Sequence, residues 1–592
     1  MRDMGSAKSL ENKRRGTDMR GKLFWFLFGA LFVYTVKSIF VGADIDEAYG
    51  VTVGYRLVQG DKLMWDMWEP HQTSAIFTAL FIRMILLCTK GSLQYLTVSL
   101  RVCFFVVQAG IAFYLYKCLK DCLPCLSDDE CALFGMIYYI TTPKCIYVPE
   151  YSNLHVWFST LLALYLMQFF GSASRHSGRY LYLVWAGAML ACDVLAYPSM
   201  VIFYPICVLV ILRRTGQETG RSPWIAAAAF TLPCVVGVGI FLGYVFCYMN
   251  LADIMTVLPY IMTDGSHKLT ATEKWMLVGN GLGELLFITV GCAFVAAAIA
   301  YGCKRWREKR GKETGRFFVD FLFFWFLAQT VYQIIYWLYT EYNSGYPQAA
   351  YLVIGLFGLL CHIKSESRNR IGSYLVGLSL LNYVGLNLFS NWKPTSLTVY
   401  LVLGLLGGLL CWRAYFLEKC PAHALRLIRT ICVVFVLSEV FGRCFLVIGG
   451  DTDSNRIYQV RGFNRDGVRG GILASYMNAY RYNNNYELFP EIVPAGSNVL
   501  YLGPSQFYYM MGDCRIAAPS TISTPEYDEH LQMYYELHPE KFPDVVVVES
   551  LYGDVSYFGE DNYIYTWLEE EFAPYEMEDY PYVRVYRRAG DE

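Results

Sequence analysis

The chain has 592 residues, of which 55% are hydrophobic, 17% aromatic and only 17% charged, with a formal net charge of −2. That balance excludes an ordinary soluble enzyme and, with no extended basic tract, a nucleic-acid-binding protein; it describes a polytopic membrane protein with a modest soluble part. Of its 19 cysteines only Cys514 follows residue 450, so the soluble part is not a disulfide scaffold.

The basic start, MRDMGSAKSLENKRRGTDMRGK, runs into an apolar stretch over 23–42 that is long for a cleaved signal and reads as an uncleaved anchor. Further apolar runs cover 93–116, 131–149, 152–171, 180–196, 198–212, 223–249, 278–303, 317–340, 346–363, 371–389, 395–415 and 424–448, about thirteen spans in all. The run 74–89 is short and interrupted by Arg83. If it does not span, the basic loops all fall on one side, as the positive-inside rule requires. The N-terminus is then cytoplasmic, 43–92 is one large extracytoplasmic loop, and everything after 449 lies outside. The other long outer loop is 250–280. After Gly450 the pattern changes to strand-like runs at Val499, Val545 and Tyr582 with a helical stretch over 526–537, which predicts an extracytoplasmic α/β domain over 450–592.

No P-loop, H-E-x-x-H or G-x-S-x-G element occurs. The spaced glycines at 237–243 and 279–283 fall in or at membrane helices, where small residues serve close packing. Cys118, Cys122, Cys125 and Cys131 crowd one cytoplasmic loop, but their irregular spacing argues against zinc.

The chemistry concentrates in 43–71, where Asp44, Asp46, Glu47, Asp61, Asp66, Glu69 and His71 follow directly on the first span. Single acids there would simply cap helices, and Asp44 or Asp46 suits the start of a helix through Tyr49–Val58. Their clustering at the edge of a bilayer, beside an amphipathic segment bearing Tyr55, Trp65 and Trp68, points further. Other polar residues belong to the same side: Glu150, Asn153 and His155 from one hairpin, Asp193 and Arg101 near span ends, and His267, Lys268 and Lys274 from the second long loop. Carboxylates facing cations suit one reaction. Sugar nucleotides are not expected outside the membrane, so a donor there is carried on a polyprenyl phosphate. Its leaving phosphate needs a cationic clamp (Arg101, Lys268, Lys274), and the acceptor needs a carboxylate base. A divalent cation, Mg2+ or Mn2+, bridging acids and phosphate is compatible and not required.

The element Asp46-Glu47-Ala48-Tyr49 just after the first span, the Glu69-Pro70-His71 run that opens a juxtamembrane helix, and Arg101 at the second span together resemble the GT-C superfamily of integral-membrane glycosyltransferases, especially the protein mannosyltransferase and aminoarabinose transferase branch. The resemblance covers 23–215 by motif and the remainder by layout. It implies a GT-C-like catalytic domain over 1–449 with about thirteen transmembrane helices, a C-terminal extracytoplasmic domain over 450–592, a polyprenyl-phosphate sugar donor and a cell-envelope acceptor. It also implies catalytic acids at Asp46, Glu47 and Glu150, with Asp46 and Glu150 as metal ligands where a metal is used. Tyr49, His71, Asn153, His155, Asp193 and His267 become supporting residues. The family's second-hairpin Asp is replaced here by Asn153, with Glu150 three residues earlier. The competing readings are a flippase of lipid-linked precursors, which predicts charges through the full depth of the bundle or repeat symmetry, and a non-catalytic envelope scaffold.

Overall fold

The computed structural model describes residues 3–589 apart from 70, 144–145, 172–178, 218–221, 263–268, 312–315, 340–348, 368, 449–453, 504, 523–527 and 550–562, with the side chains of 3–20, 454–455, 528–529 and 563 also outside the description. The first helix, α1 (Asp3–Phe40), leads into α2 (Ile45–Gln59), α3 (Ala75–Cys88) and α4 (Leu96–Cys122). The bundle continues through α5 (Asp128–Ile140), α6 (Tyr151–Gly171), α7 (Arg179–Ala196), α8 (Phe203–Gly216), α9 (Pro223–Phe246), α10 (Leu251–Met262) and α11 (Ala271–Glu308). It closes with α12 (Phe317–Tyr339), α13 (Ala349–Lys364), α14 (Arg370–Phe389), the single turn α15 (Pro394–Leu397), α16 (Val402–Lys419) and α17 (Pro421–Phe445).

Ten of the described helices are long and apolar enough to cross a membrane. Each of the thirteen apolar runs holds a helix among its described residues, and three of these helices fall short of that standard for visible reasons. α5 stops at Ile140, before Thr141-Thr142-Pro143; α13 has 16 residues; α17 carries Arg426, Arg429, Glu439 and Arg443. α3, the run broken by Arg83, has 14 residues and reaches about 21 Å, less than the ~30 Å of a hydrocarbon core.

α16 is buried almost throughout and packs against α13 and α14. Glycines let the backbones touch: a β-carbon on Gly358 would stand 2.5 Å from the Gly408 Cα. Ionised groups at the bundle's ends are paired, as Arg413 with Glu130 at 2.6 Å and Asp320 with Arg316 at 3.1 Å.

Beyond α17, β1 (Leu446–Ile448) pairs antiparallel with β2 (Ser454–Arg456), and β3 (Val460–Phe463) with β4 (Leu473–Ser475). After α18 (Tyr476–Ile492) come β5 (Ser497–Leu502), β6 (Cys514–Ile516), α19 (Asp528–Leu537), β7 (Val545–Glu549), α20 (Tyr563–Trp567), β8 (Tyr575–Tyr580) and β9 (Val583–Arg588). The sheet order is β6-β5-β7-β9-β8, the first three parallel and the last two antiparallel. The unbroken Val545–Val548 run fills its centre, as a strand covered on both faces should.

This domain is docked on the segment after α1. Thr52 Oγ1 donates to Gln506 O at 3.2 Å, and Trp68 N–H to Pro519 O at 2.8 Å. The buried Arg56 donates to Asp61 Oδ2 (2.8 Å), Glu69 Oε1 (3.0 Å), Asp66 O (2.5 Å) and Pro519 O (3.3 Å). Glu69 Oε1 also accepts from Thr521 N–H at 3.0 Å. His538 is buried edge-on to Trp65, with ring centres 4.6 Å apart, and burial holds its imidazole below the usual histidine range.

Candidate active site

α2 begins where Asp44 caps it: Asp44 Oδ1 accepts the Asp46 N–H at 2.8 Å. Asp46 and Glu47 then occupy the first turn, where the helix dipole favours negative charge. The helix ends at Gly60, whose φ of 108° allows the left-handed cap.

Side by side in sequence, the two acids have different surroundings. Glu47 is buried and bidentate to Arg101, with Nε–Oε1 at 2.8 Å and Nη2–Oε2 at 2.5 Å. Arg101 also donates to Ser38 O (3.2 Å), Ile39 O (3.1 Å) and Gly42 O (2.7 Å), closing the carbonyl end of α1. All five N–H donors of Arg101 are engaged in this way, so the phosphate contact expected of Arg101 and the catalytic part expected of Glu47 would each require this pair to open. Asp46 is only half-buried, on the same side of α2 as Gly50 one turn on.

Over Gly50 sits Glu150, which accepts the N–H groups of Ser152 and Asn153 (both 2.9 Å) and so caps α6. Asn153 Nδ2 donates to Ile146 O and Val148 O, fixing the irregular stretch before that helix. Asp46 and Glu150 both lie within electrostatic range of the phenols of Tyr151 and Tyr400. His71 stacks flat on Tyr151, ring centres 4.2 Å apart and planes 5° off parallel, and touches Tyr197 at 4.9 Å. Tyr49 meets Tyr151 edge-on at 6.4 Å.

The aromatic wall continues inward. His155 packs on Tyr197 (5.5 Å) and Tyr400 (5.6 Å), and its Nδ1 lies 2.7 Å from Asp193 Oδ1, its Nε2 3.1 Å from Asn382 Oδ1. Asp193, Ser379, Asn382 and Tyr400 border a cavity of about 10 Å³, the size of one water. One connected set thus joins Asp46, Tyr49, His71, Glu150, Asn153, His155 and Asp193. Lys274 is elsewhere engaged: its ammonium donates to Ser390 O and to Asn391 Oδ1. His267 and Lys268, and Pro70 of the Glu69-Pro70-His71 run, lie outside the described residues.

Sequence reasoning missed Tyr151, Tyr197, Asn382 and Tyr400. Tyr151 adjoins Glu150, which is a signal of sorts; the other three come from the turn just after α7, from α14 and from the turn before α16, and nothing local marks them. No three His, Cys, Asp or Glu side chains come together as a metal site among the described residues, those around Cys118–Cys131 included. Asp46 and Glu150 would give a cation two carboxylates, with its other ligands drawn from the donor's phosphate and water, which is how Mg2+ is commonly held.

No family profile matches the chain, and no curated protein does. Solved structures do. ArnT from Cupriavidus metallidurans bound to undecaprenyl phosphate is 11% identical, over 96% of this chain and 98% of that one, with a TM-score of 0.47. The Archaeoglobus fulgidus oligosaccharyltransferase in complex with Zn and sulfate is 11% identical, over 95% of this chain and 73% of that one, with a TM-score of 0.43. At such identity and scores the likeness concerns the layout of the chain alone.

Proposed function

We propose that this protein is a membrane glycosyltransferase that moves a sugar from a polyprenyl-phosphate donor to a cell-envelope glycan, lipid or protein, with Asp46 as the base. The observation that carries the reading is the contrast between the two acids of the first turn of α2. Glu47 is locked to Arg101, while Asp46 is only half-buried, beside Glu150 and the His71–Tyr151–Tyr197 wall. A carboxylate that the fold does not bury, held on a rigid helix at the edge of a bilayer, has the form of a working group.

In this reading the acceptor hydroxyl gives its proton to Asp46 as its oxygen attacks the anomeric carbon. The bond from that carbon to the phosphate oxygen breaks, and the lipid phosphate departs with the electron pair. The Asp46 proton then passes to the phosphate. One base suffices, because phosphate is a stable leaving anion. Tyr151 and Tyr197 wall the sugar site, Glu150 fixes the start of α6 beside it, and Lys268 of the 250–280 loop is the proposed phosphate clamp, with His267 in a supporting part. A Mg2+ or Mn2+ held by Asp46 and Glu150 would neutralise phosphate charge. The active face is extracytoplasmic, with the N-terminus in the cytoplasm.

The experiment supplies membranes with radiolabelled polyprenyl-phosphate sugars and follows label into envelope material. Loss of a general base lowers rate by about 10²–10⁴-fold, so Asp46→Asn and Asp46→Ala should retain little transfer. Wild-type transfer in both removes Asp46 from this role.

A further inference from the structure

The C-terminal domain has an apolar margin that, among the described residues, the bundle and its own sheet leave largely uncovered. It begins where the membrane helices end. Gly42 N–H, just past α1, donates to Leu473 O at 2.8 Å, joining β4 to that helix. Arg456 donates to Leu338 O near the end of α12 at 2.8 Å, and the Tyr458 ring lies 6.4 Å from Phe445 at the end of α17. Between α1 and α17 runs an apolar groove of about 720 Å³, and Ile457 of the domain forms part of its wall together with Phe32, Val36 and Phe441. The margin is therefore continuous with the surface the bundle turns to lipid.

Its residues are large and uncovered: Tyr458 is 56% exposed, Phe463 50%, Tyr476 65% and Tyr480 48%. α18 shows what this means. Its buried face mixes Asn478, Arg481 and Asn485 with Ala479, Tyr482, Phe489 and Ile492, while Tyr476, Met477 and Tyr480 at its start point outward, with Tyr476 and Tyr480 stacked 6.2 Å apart. A helix in water hides its apolar groups; α18 does so along most of its length but leaves three large side chains uncovered in its first two turns. Tyrosines collect where one end of the ring can be apolar and the hydroxyl wet, which is the headgroup layer of a bilayer.

We propose that the margin formed by Ile457, Tyr458, Phe463, Leu473, Tyr476 and Tyr480 rests in the headgroup region of the leaflet on the domain's side, so that its partner is the lipid surface. The domain then lies tilted on the membrane and is held by it along one edge. The inference depends on α1 and α17 crossing the bilayer and is independent of sugar transfer.

The test reconstitutes the full chain in phosphatidylcholine/phosphatidylglycerol nanodiscs containing a phospholipid with a diazirine at the headgroup end of its acyl chain, irradiates, and maps adducts by mass spectrometry. Adducts on 456–463 and 473–480, alongside α1 as internal control, are expected. Tyr476→Ser with Tyr480→Ser, both exposed, should reduce the 473–480 adducts several-fold and leave α1 labelling unchanged. Labelling of α1 without the margin overturns the proposal, as does an unchanged adduct yield in the double variant. A nanodisc particle of two chains with the margin unlabelled overturns it in favour of a self-interface. Shielding of 473–480 by added envelope glycan, with no lipid adduct there, does so in favour of a glycan platform.

Discussion

Gly50 on α2 and Glu150 before α6 are in direct contact: a β-carbon on Gly50 would stand 2.5 Å from the Glu150 Cβ, closer than packed atoms come. The two elements can approach only because position 50 has no side chain. Asp46 is one turn from this contact, so its position depends on how closely α2 sits on Glu150. Gly50→Ala should therefore lower stability by about 1–3 kcal/mol through overpacking. It should also cut sugar transfer by about 100-fold if Asp46 moves by 1 Å. Initial rates and thermal unfolding of the same preparation separate the two effects, and a variant with native rate shows that Asp46 does not depend on this contact.

The acids at 46 and 47 should answer mutation in opposite ways. Glu47→Ala leaves the Arg101 guanidinium buried without its carboxylate, and breaking such a pair costs about 3–5 kcal/mol. Its Tm should drop steeply, and the double variant Glu47→Met/Arg101→Met should recover part of the loss. Asp46→Asn should unfold at the native temperature while transfer falls. Differential scanning fluorimetry in detergent is the measurement, and a single-variant Glu47 Tm equal to wild type contradicts the buried pair.

Arg56 and Glu69 fasten the C-terminal domain to the loop after α1, through Pro519 O and Thr521 N–H. With both side chains fully buried, Arg56→Ala should release that latch at a cost of about 3–5 kcal/mol. Hydrogen exchange should rise in 56–69 and 517–522 first, while the core of the sheet at Val545–Val548 stays protected.

His538 gives the docked domain a pH dependence. Burial against Trp65 and Tyr534 lowers its pKa; Asp66 and Glu540 pull it up, and Lys541 pushes it further down. The folded state thus holds the imidazole neutral where the unfolded chain takes a proton. Stability present above the ordinary histidine pKa of about 6.5 is then lost as pH falls below it. Tm should decrease between pH 7 and pH 5.5 in wild type and less so in His538→Gln. Parallel curves for the two proteins assign the acid sensitivity to another group.

The helical runs, the change to strands after Gly450, and the cap at Asp44 were all legible in the residues themselves, because periodicity and capping depend on neighbours within a turn or two of chain. The acids after the first span were equally visible as a cluster. What composition and spacing left open was which partner each of them finds. Glu47 finds Arg101 from 54 positions away, and His155 finds Asp193 and Asn382 on two other helices. Tyr197 and Tyr400 join the wall only because the turn after α7 and the turn before α16 arrive beside α6. Local sequence fixes the shape of each helix, but a buried charge is satisfied by whichever partner the packing brings within about 3 Å, and that distance exists only in the folded bundle.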